Sequence, residues 1–201
     1  ANMHRQIRKK LLSDKEIKNA LDKLSTNTNL QVLSDCEIII EAASEKENVK
    51  YELFRKLDLI SDDNSILATN TSSISITKIA SQTQNPENVI GMHFMNPVPI
   101  MKLVEIIRGQ LTSDQTVNKI TEFSQKLGKI PVLCNDSPGF ISNRLLMPMI
   151  NEAIYCLMEG VANANAIDEI MKLGMGHPMG PLALADLIGL DVCLSICEVL
   201  H

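Results

Sequence analysis

The chain has 201 residues, a net charge of −5 and 45% apolar residues. That balance suits a globular chain with a buried core and excludes a disordered one, while the acidic excess argues against a nucleic-acid binder, which needs a concentrated basic surface. No apolar run approaches the roughly 18 residues of a membrane span, and five cysteines without a CxxC point to a reducing compartment, the cytoplasm or one such as the mitochondrial matrix.

Residues 3–24 place Met3, Ile7, Leu11, Leu12, Ile17, Leu21 and Leu24 at helical spacing among many charges. The run Ile38–Ile40 within Asp35–Glu41 predicts a buried parallel strand. Asn48–Leu59 predicts a helix, with Val49, Leu53, Leu57 and Ile60 on one side. A strand at Ser65–Thr69 and a short helix at Ser73–Ile79 come next. Strands follow at Val89–Phe94 and Met101–Ile107, then a helix over Ser113–Leu127 that stops at Gly128, then a strand at Ile130–Cys134. Strands alternating with helices predict a parallel, doubly wound α/β sheet, Rossmann-like, over residues 1–135.

At Asn135-Asp-Ser-Pro-Gly139 the character changes. Residues 136–201 carry no strand pattern; they predict a long helix over 140–159, a shorter one over 165–173, a Gly/Pro-rich turn over 174–181 and one last apolar helix. This is the expected boundary between the sheet domain and a partial helical domain. A sheet of this class normally opens with a strand, a Gly-rich turn and a helix whose amides hold a pyrophosphate. No GxGxxG occurs here, and the chain opens on a helical run, so the expectation is a fragment with both domains incomplete.

Several residues could carry chemistry at the sheet's ligand edge. His93 falls near a strand end, and Glu105 lies 12 residues on in a mostly apolar strand. A half-buried carboxylate needs a partner, and an imidazole is the obvious one. Such a pair fixes the tautomer and leaves Nε2 facing a substrate hydroxyl, although on composition alone a structural His beside a solvated Glu is the commoner arrangement. Ser72 or Ser73 could cap the helix that follows or bond a substrate oxygen. Asn143, one turn into the long helix, matters if that turn faces the ligand edge; otherwise it is a capping or exposed residue. Glu45 with Lys50 could bond ribose or amide groups of a ligand. The cluster His4–Lys10 reads as a solvated helix face or a phosphate contact, and Cys193 and Cys197 as core residues. No histidine has neighbours at metal-ligand spacing.

Taken together, Ile39-Ile-Glu-Ala-Ala43, Ala68-Thr-Asn-Thr-Ser-Ser73, Gly91-Met-His-Phe94, Asn96-Pro-Val-Pro99, Met101-Lys-Leu-Val-Glu105, Ser137-Pro-Gly-Phe140, Asn143-Arg-Leu-Leu146 and His177-Pro-Met-Gly-Pro181 resemble the 3-hydroxyacyl-CoA dehydrogenase family, its short-chain 3-hydroxybutyryl-CoA members most of all. The resemblance implies an oxidoreductase of fatty-acid and butanoate metabolism that interconverts (S)-3-hydroxyacyl-CoA and 3-oxoacyl-CoA with NAD. It implies His93 as catalytic base, Glu105 as its orienting partner, and Ser72 and Asn143 on the substrate's 3-oxygen. Glu45, Lys50, Ser72 and Asn96 would contact the nicotinamide cofactor, and Lys9 the coenzyme A. It further implies a homodimer through the helical domain, while composition and spacing leave no metal, nucleic-acid or membrane partner expected. It also implies that the first strand, the glycine-rich turn and the last helices of the family are absent from this chain. Two other readings stand beside it: a related dehydrogenase acting on a sugar acid, and a non-catalytic scaffold protein.

Overall fold

The computed structural model describes residues 13–201. Helix α1 (Asp14–Leu21) starts at a capping box in which Ser13 and Glu16 bond each other's backbone N–H. Strand β1 (Ile38–Glu41) is followed by α2 (Glu47–Ile60), β2 (Ile66–Thr69) and the short α3 (Ile76–Ala80). Then come β3 (Val89–Phe94), β4 (Leu103–Arg108), α4 (Asp114–Lys126) and β5 (Ile130–Asn135). The five strands form one sheet in the order β1-β2-β3-β4-β5.

Alternation along the strands feeds two cores. Ile39, Leu67, Val89 and Ile107 face α2 and α3, where Phe54, Leu57, Ile76 and Ile79 bury completely or nearly so. Ile66, Ala68, Ile90, Met92, Val104 and Ile106 face the other way, against Val117 and Ile120 of α4. Helices thus cover both faces, as the doubly wound expectation required.

One pairing departs from the all-parallel expectation. β3 and β4 run antiparallel, while β1–β2, β2–β3 and β4–β5 are parallel. The connection from Phe94 to Leu103 is too short for the crossover that a parallel neighbour demands. The consequence for the site is direct: the antiparallel register sets His93 opposite Glu105. Both side chains alternate onto the face shared with α2 and α3.

After the sheet the chain is helical: α5 (Ser142–Met158), α6 (Ala164–Met175), α7 (Pro181–Ile188) and α8 (Leu190–Leu200). The single last helix expected from the apolar run is two. Gly189, at φ +101°, bends the chain between them in a conformation that L side chains rarely adopt. Met147, Ile150, Ala185 and Cys193 form a third core within this unit, with Cys197 packed against it. Among the described residues no helix is long and apolar enough to cross a membrane.

Candidate active site

The carboxyl ends of β1, β2 and β3 meet at one edge of the sheet, where ligands bind in open α/β folds. Past β2, Ser72 Oγ lies 3.1 Å from His93 Nε2. On the other side of the ring, His93 Nδ1 lies 2.7 Å from Glu105 Oε2, with both side chains almost fully buried. A carboxylate accepts from Nδ1–H, so Nε2 carries the lone pair and Ser72 donates to it. The result is a hydrogen-bonded line from an accessible hydroxyl through an imidazole to a buried anion.

The helical unit closes this line from one side. The Ser142 hydroxyl donates to Glu105 Oε2 at 2.8 Å and the Ser142 N–H to Oε1 at 3.0 Å. Burial pushes the Glu105 carboxyl up, but the donors from His93 and Ser142 outweigh it and hold the group below the usual carboxylate range. Phe140, 2% exposed, sets its ring edge-on to His93 with centroids 5.9 Å apart. Its φ of 51° is a left-handed conformation that costs a non-glycine residue on the order of 1–3 kcal/mol, and burial of the ring offsets that cost. Asn143 Nδ2 donates to the Ser72 carbonyl at 3.1 Å, tying α5 to the loop after β2.

A second network holds that loop from beneath. Glu45 Oε1 accepts from Thr71 Oγ1, from the N–H groups of Ser72 (2.8 Å) and Ser73 (3.0 Å), and from Ser73 Oγ (3.1 Å). Burial raises the Glu45 carboxyl; these donors and nearby Lys50 bring it to a net position below its ordinary range. Lys50 is 1% exposed. Its ammonium bonds both oxygens of Glu41, at 2.9 and 3.0 Å, and lies 3.4 Å from Glu45 Oε2. Glu41 also accepts from Thr69 Oγ1 at 2.7 Å. Lys50 therefore faces inward, and any ligand at the edge would feel it through Glu45.

The edge brings His93, Glu105, Ser72 and Asn143 into one cluster, with Glu45 bonded to the same loop and Lys50 behind it. Asn96 stands exposed on the segment after β3. Lys9 and the basic cluster around it lie outside the described residues. The helix cap differs from the expectation: neither Ser72 nor Ser73 caps α3, because the Ser72 hydroxyl is engaged by His93 Nε2 and the Ser73 hydroxyl by Glu45. Ser75 is the N-cap and accepts from the Lys78 N–H. Sequence reasoning missed Ser142 and Glu41. Ser142 could have been suspected from its place beside Asn143 in the first turn after Pro-Gly. Glu41 could have been suspected from an acid ending a run of three isoleucines, which needs a cation nearby.

This is a Rossmann-like α/β protein whose ligand edge carries an imidazole–carboxylate site, closed by a helical unit. The family model of the 3-hydroxyacyl-CoA dehydrogenase NAD binding domain matches residues 1–137, and that of the 3-hydroxyacyl-CoA dehydrogenase C-terminal domain matches residues 139–201. The chain belongs to the 3-hydroxyacyl-CoA dehydrogenase family. It is 59% identical to the probable 3-hydroxybutyryl-CoA dehydrogenase of Deinococcus radiodurans, across 90% of this chain and 65% of that protein. To the 3-hydroxybutyryl-CoA dehydrogenase of Bradyrhizobium diazoefficiens it is 53% identical, across 100% and 68%. The crystal structure of (S)-3-hydroxybutyryl-CoA dehydrogenase from Ralstonia eutropha is similar with a TM-score of 0.97 at 49% identity, covering 99% of this chain and 70% of that one. The chain spans about two thirds of the length of the curated relatives it matches.

The described residues fit one end of an NAD molecule. Ala42, Ala43 and Ser44 lie exposed past the carboxyl end of β1, small enough for a ligand to approach the backbone closely. Glu45 follows them in the chain and binds the Ser72 N–H. No GxGxxG, the pattern that holds a pyrophosphate in such sheets, occurs in these 201 residues.

Proposed function

We propose that this chain carries the catalytic part of an NAD-dependent 3-hydroxyacyl-CoA dehydrogenase acting on short acyl chains, 3-hydroxybutyryl-CoA among them. The observation that carries the proposal is the line Ser72 Oγ, His93 Nε2, His93 Nδ1, Glu105 Oε2, with contacts of 3.1 and 2.7 Å. A substrate 3-hydroxyl that displaces the Ser72 hydroxyl from His93 Nε2 meets a lone pair able to take its proton, and the released Ser72 hydroxyl turns to the substrate oxygen. His93 takes the hydroxyl proton there, and the imidazolium is held by the Glu105 carboxylate, which stays ionised. Ser72 Oγ and the Asn143 amide donate to the oxygen as it becomes a carbonyl. Bound at the same edge, NAD supplies the acceptor for the hydride of C3. Glu45 and Asn96 border that position, and Lys50 orients Glu45 from below.

The same reading makes residues 1–135 and 136–201 two domains, with the helical one pairing two copies of the protein. Exposed apolar side chains there, among them Leu145 at 70% and Leu173 at 84%, support such pairing.

The test is NADH oxidation with acetoacetyl-CoA by the full-length protein. His93→Gln is expected to lower kcat about 10²–10⁴-fold, the usual contribution of a positioned acid–base, with KM changed only a few-fold. Activity within about tenfold of the parent would overturn the assignment of the base. Thermal protection by a sugar acid but not by acetoacetyl-CoA would instead favour the sugar-acid reading.

A further inference from the structure

Glu105 Oε2 is shared. It accepts from His93 Nδ1 at 2.7 Å and from the Ser142 hydroxyl at 2.8 Å, while Oε1 accepts the Ser142 N–H at 3.0 Å. The two partners come from different parts of the fold, His93 from β3 and Ser142 from the first turn of α5. Each donor on a carboxylate draws part of its charge, so each weakens what the other feels. We infer that Ser142 is a positioning residue for the His93–Glu105 pair, whose hydroxyl lowers the imidazole's affinity for a second proton by sharing Glu105 Oε2 with Nδ1.

This inference rests on the proposed role of His93 only for its catalytic meaning; the tie itself is a property of the protein without ligands. With Ser142 in place the carboxylate still orients the ring, but its pull on the imidazolium is moderated. That matters for a base that must accept a proton and later return it, since rate is greatest when its affinity lies near the working pH. The Ser142 N–H also delivers the positive end of the α5 dipole to the same carboxylate, in the same direction as the hydroxyl.

Among the described residues, the charged groups Glu45, Asp136 and Arg144 near the pair have partners of their own, and Asp136 accepts from Ser75 Oγ and the Thr77 N–H. Glu45 accepts from the Ser72 N–H and is itself compensated by Lys50. Cys134 on β5 has its thiol pushed up to about 11, by burial first and then by Glu105 and Asp136, so it stays neutral throughout the imidazole's range. Arg144 in α5 is directed at Ser137 Oγ, 2.8 Å away.

The experiment follows the ring C–H resonance of His93 by NMR against pH, identified by its loss in His93→Gln among the four histidines. Ser142→Ala is expected to raise the midpoint by about 0.5–1 unit, a three- to tenfold gain in proton affinity. Ser142→Thr, which keeps the hydroxyl, is expected to restore the parent midpoint. A midpoint in Ser142→Ala that stays within about 0.2 units of the parent, or falls, overturns the inference. Should Ser142→Ala not fold, Ser142→Cys keeps the volume with a weaker donor and is expected to shift the same way by less; no shift there overturns it equally. No turnover is involved, so a shifted midpoint alongside an active His93→Gln would sink the proposed base and leave the Ser142 tie standing. In the active protein, the acid limb of kcat/KM for 3-hydroxybutyryl-CoA oxidation should move upward with the NMR midpoint.

Discussion

Two carboxylates at the ligand edge, Glu45 and Glu105, are held below their ordinary range by donors that overcome burial. The sign of their linkage follows. A carboxyl depressed on folding contributes stability that is complete above its unfolded value, ~4.3 for Glu, and is lost as pH falls through the folded value. Thermal midpoints should therefore drop steeply as pH falls from about 5 towards 3, and Glu105→Gln should flatten that drop. An unchanged acid limb in the variant would show that Glu105 is not a source of it. The Lys50–Glu41 pair makes a different demand, because both side chains are essentially inaccessible. Lys50→Met strands Glu41 and should cost about 3–5 kcal/mol in urea unfolding. Adding Glu41→Gln should recover much of it, and failure to do so would mean that Lys50 acts mainly on Glu45. At this scale the pairing of Glu105 with an imidazole was legible, because a carboxylate in an apolar strand has few alternatives. The inward turn of Lys50 was not, since helical spacing says nothing about which way a long cationic side chain folds back.

Among elements, the β3–β4 hairpin does most to build the site, and it is the element whose direction the sequence concealed. Alternating strands and helices suggested parallel pairing throughout, and only the length of the 95–102 connection contradicts it. Because the pair is antiparallel, residues 93 and 105 face each other. The approach of these strands to α3 is close at Gly91: a Cβ there would lie 2.7 Å from Ile107 Cβ and 2.9 Å from Ile76 Cδ1. Gly91→Ala should thus destabilise by about 1–3 kcal/mol, as overpacking does, and urea unfolding would measure it. A change below about 0.5 kcal/mol would mean that β3 can shift freely against its neighbours. The strands and the three-layer arrangement were legible from periodicity. The displaced cap at Ser75 was not, because it depends on His93 and Glu45 engaging the Ser72 and Ser73 hydroxyls across 21 and 28 residues of chain.

In the molecule as a whole, the site is assembled across two units with separate cores. Ser142 and Asn143 reach back to Glu105 and Ser72 over sequence separations of 37 and 71 residues. Contacts of that range leave no local periodicity, so Ser142 could not be read from spacing, and Asn143 was read only as a residue that matters if its turn faces the ligand edge, its role on the substrate oxygen coming from the resemblance. Two copies joined through their helical units should give twice the single-chain mass in light scattering of the full-length protein; a monomer at working concentration would remove pairing from the proposed function.

The left-handed Phe140 and the Ser142 amide bond lie within the same few residues, where the chain leaves the sheet and enters α5. If α5 swings away even briefly, His93 loses its aromatic backing and Glu105 loses two of its donors at once. The Ser142 amide proton then becomes a clock for that event. Its hydrogen-exchange rate counts how often the two units part, and each opening it records is an interval in which the proposed base is dismantled.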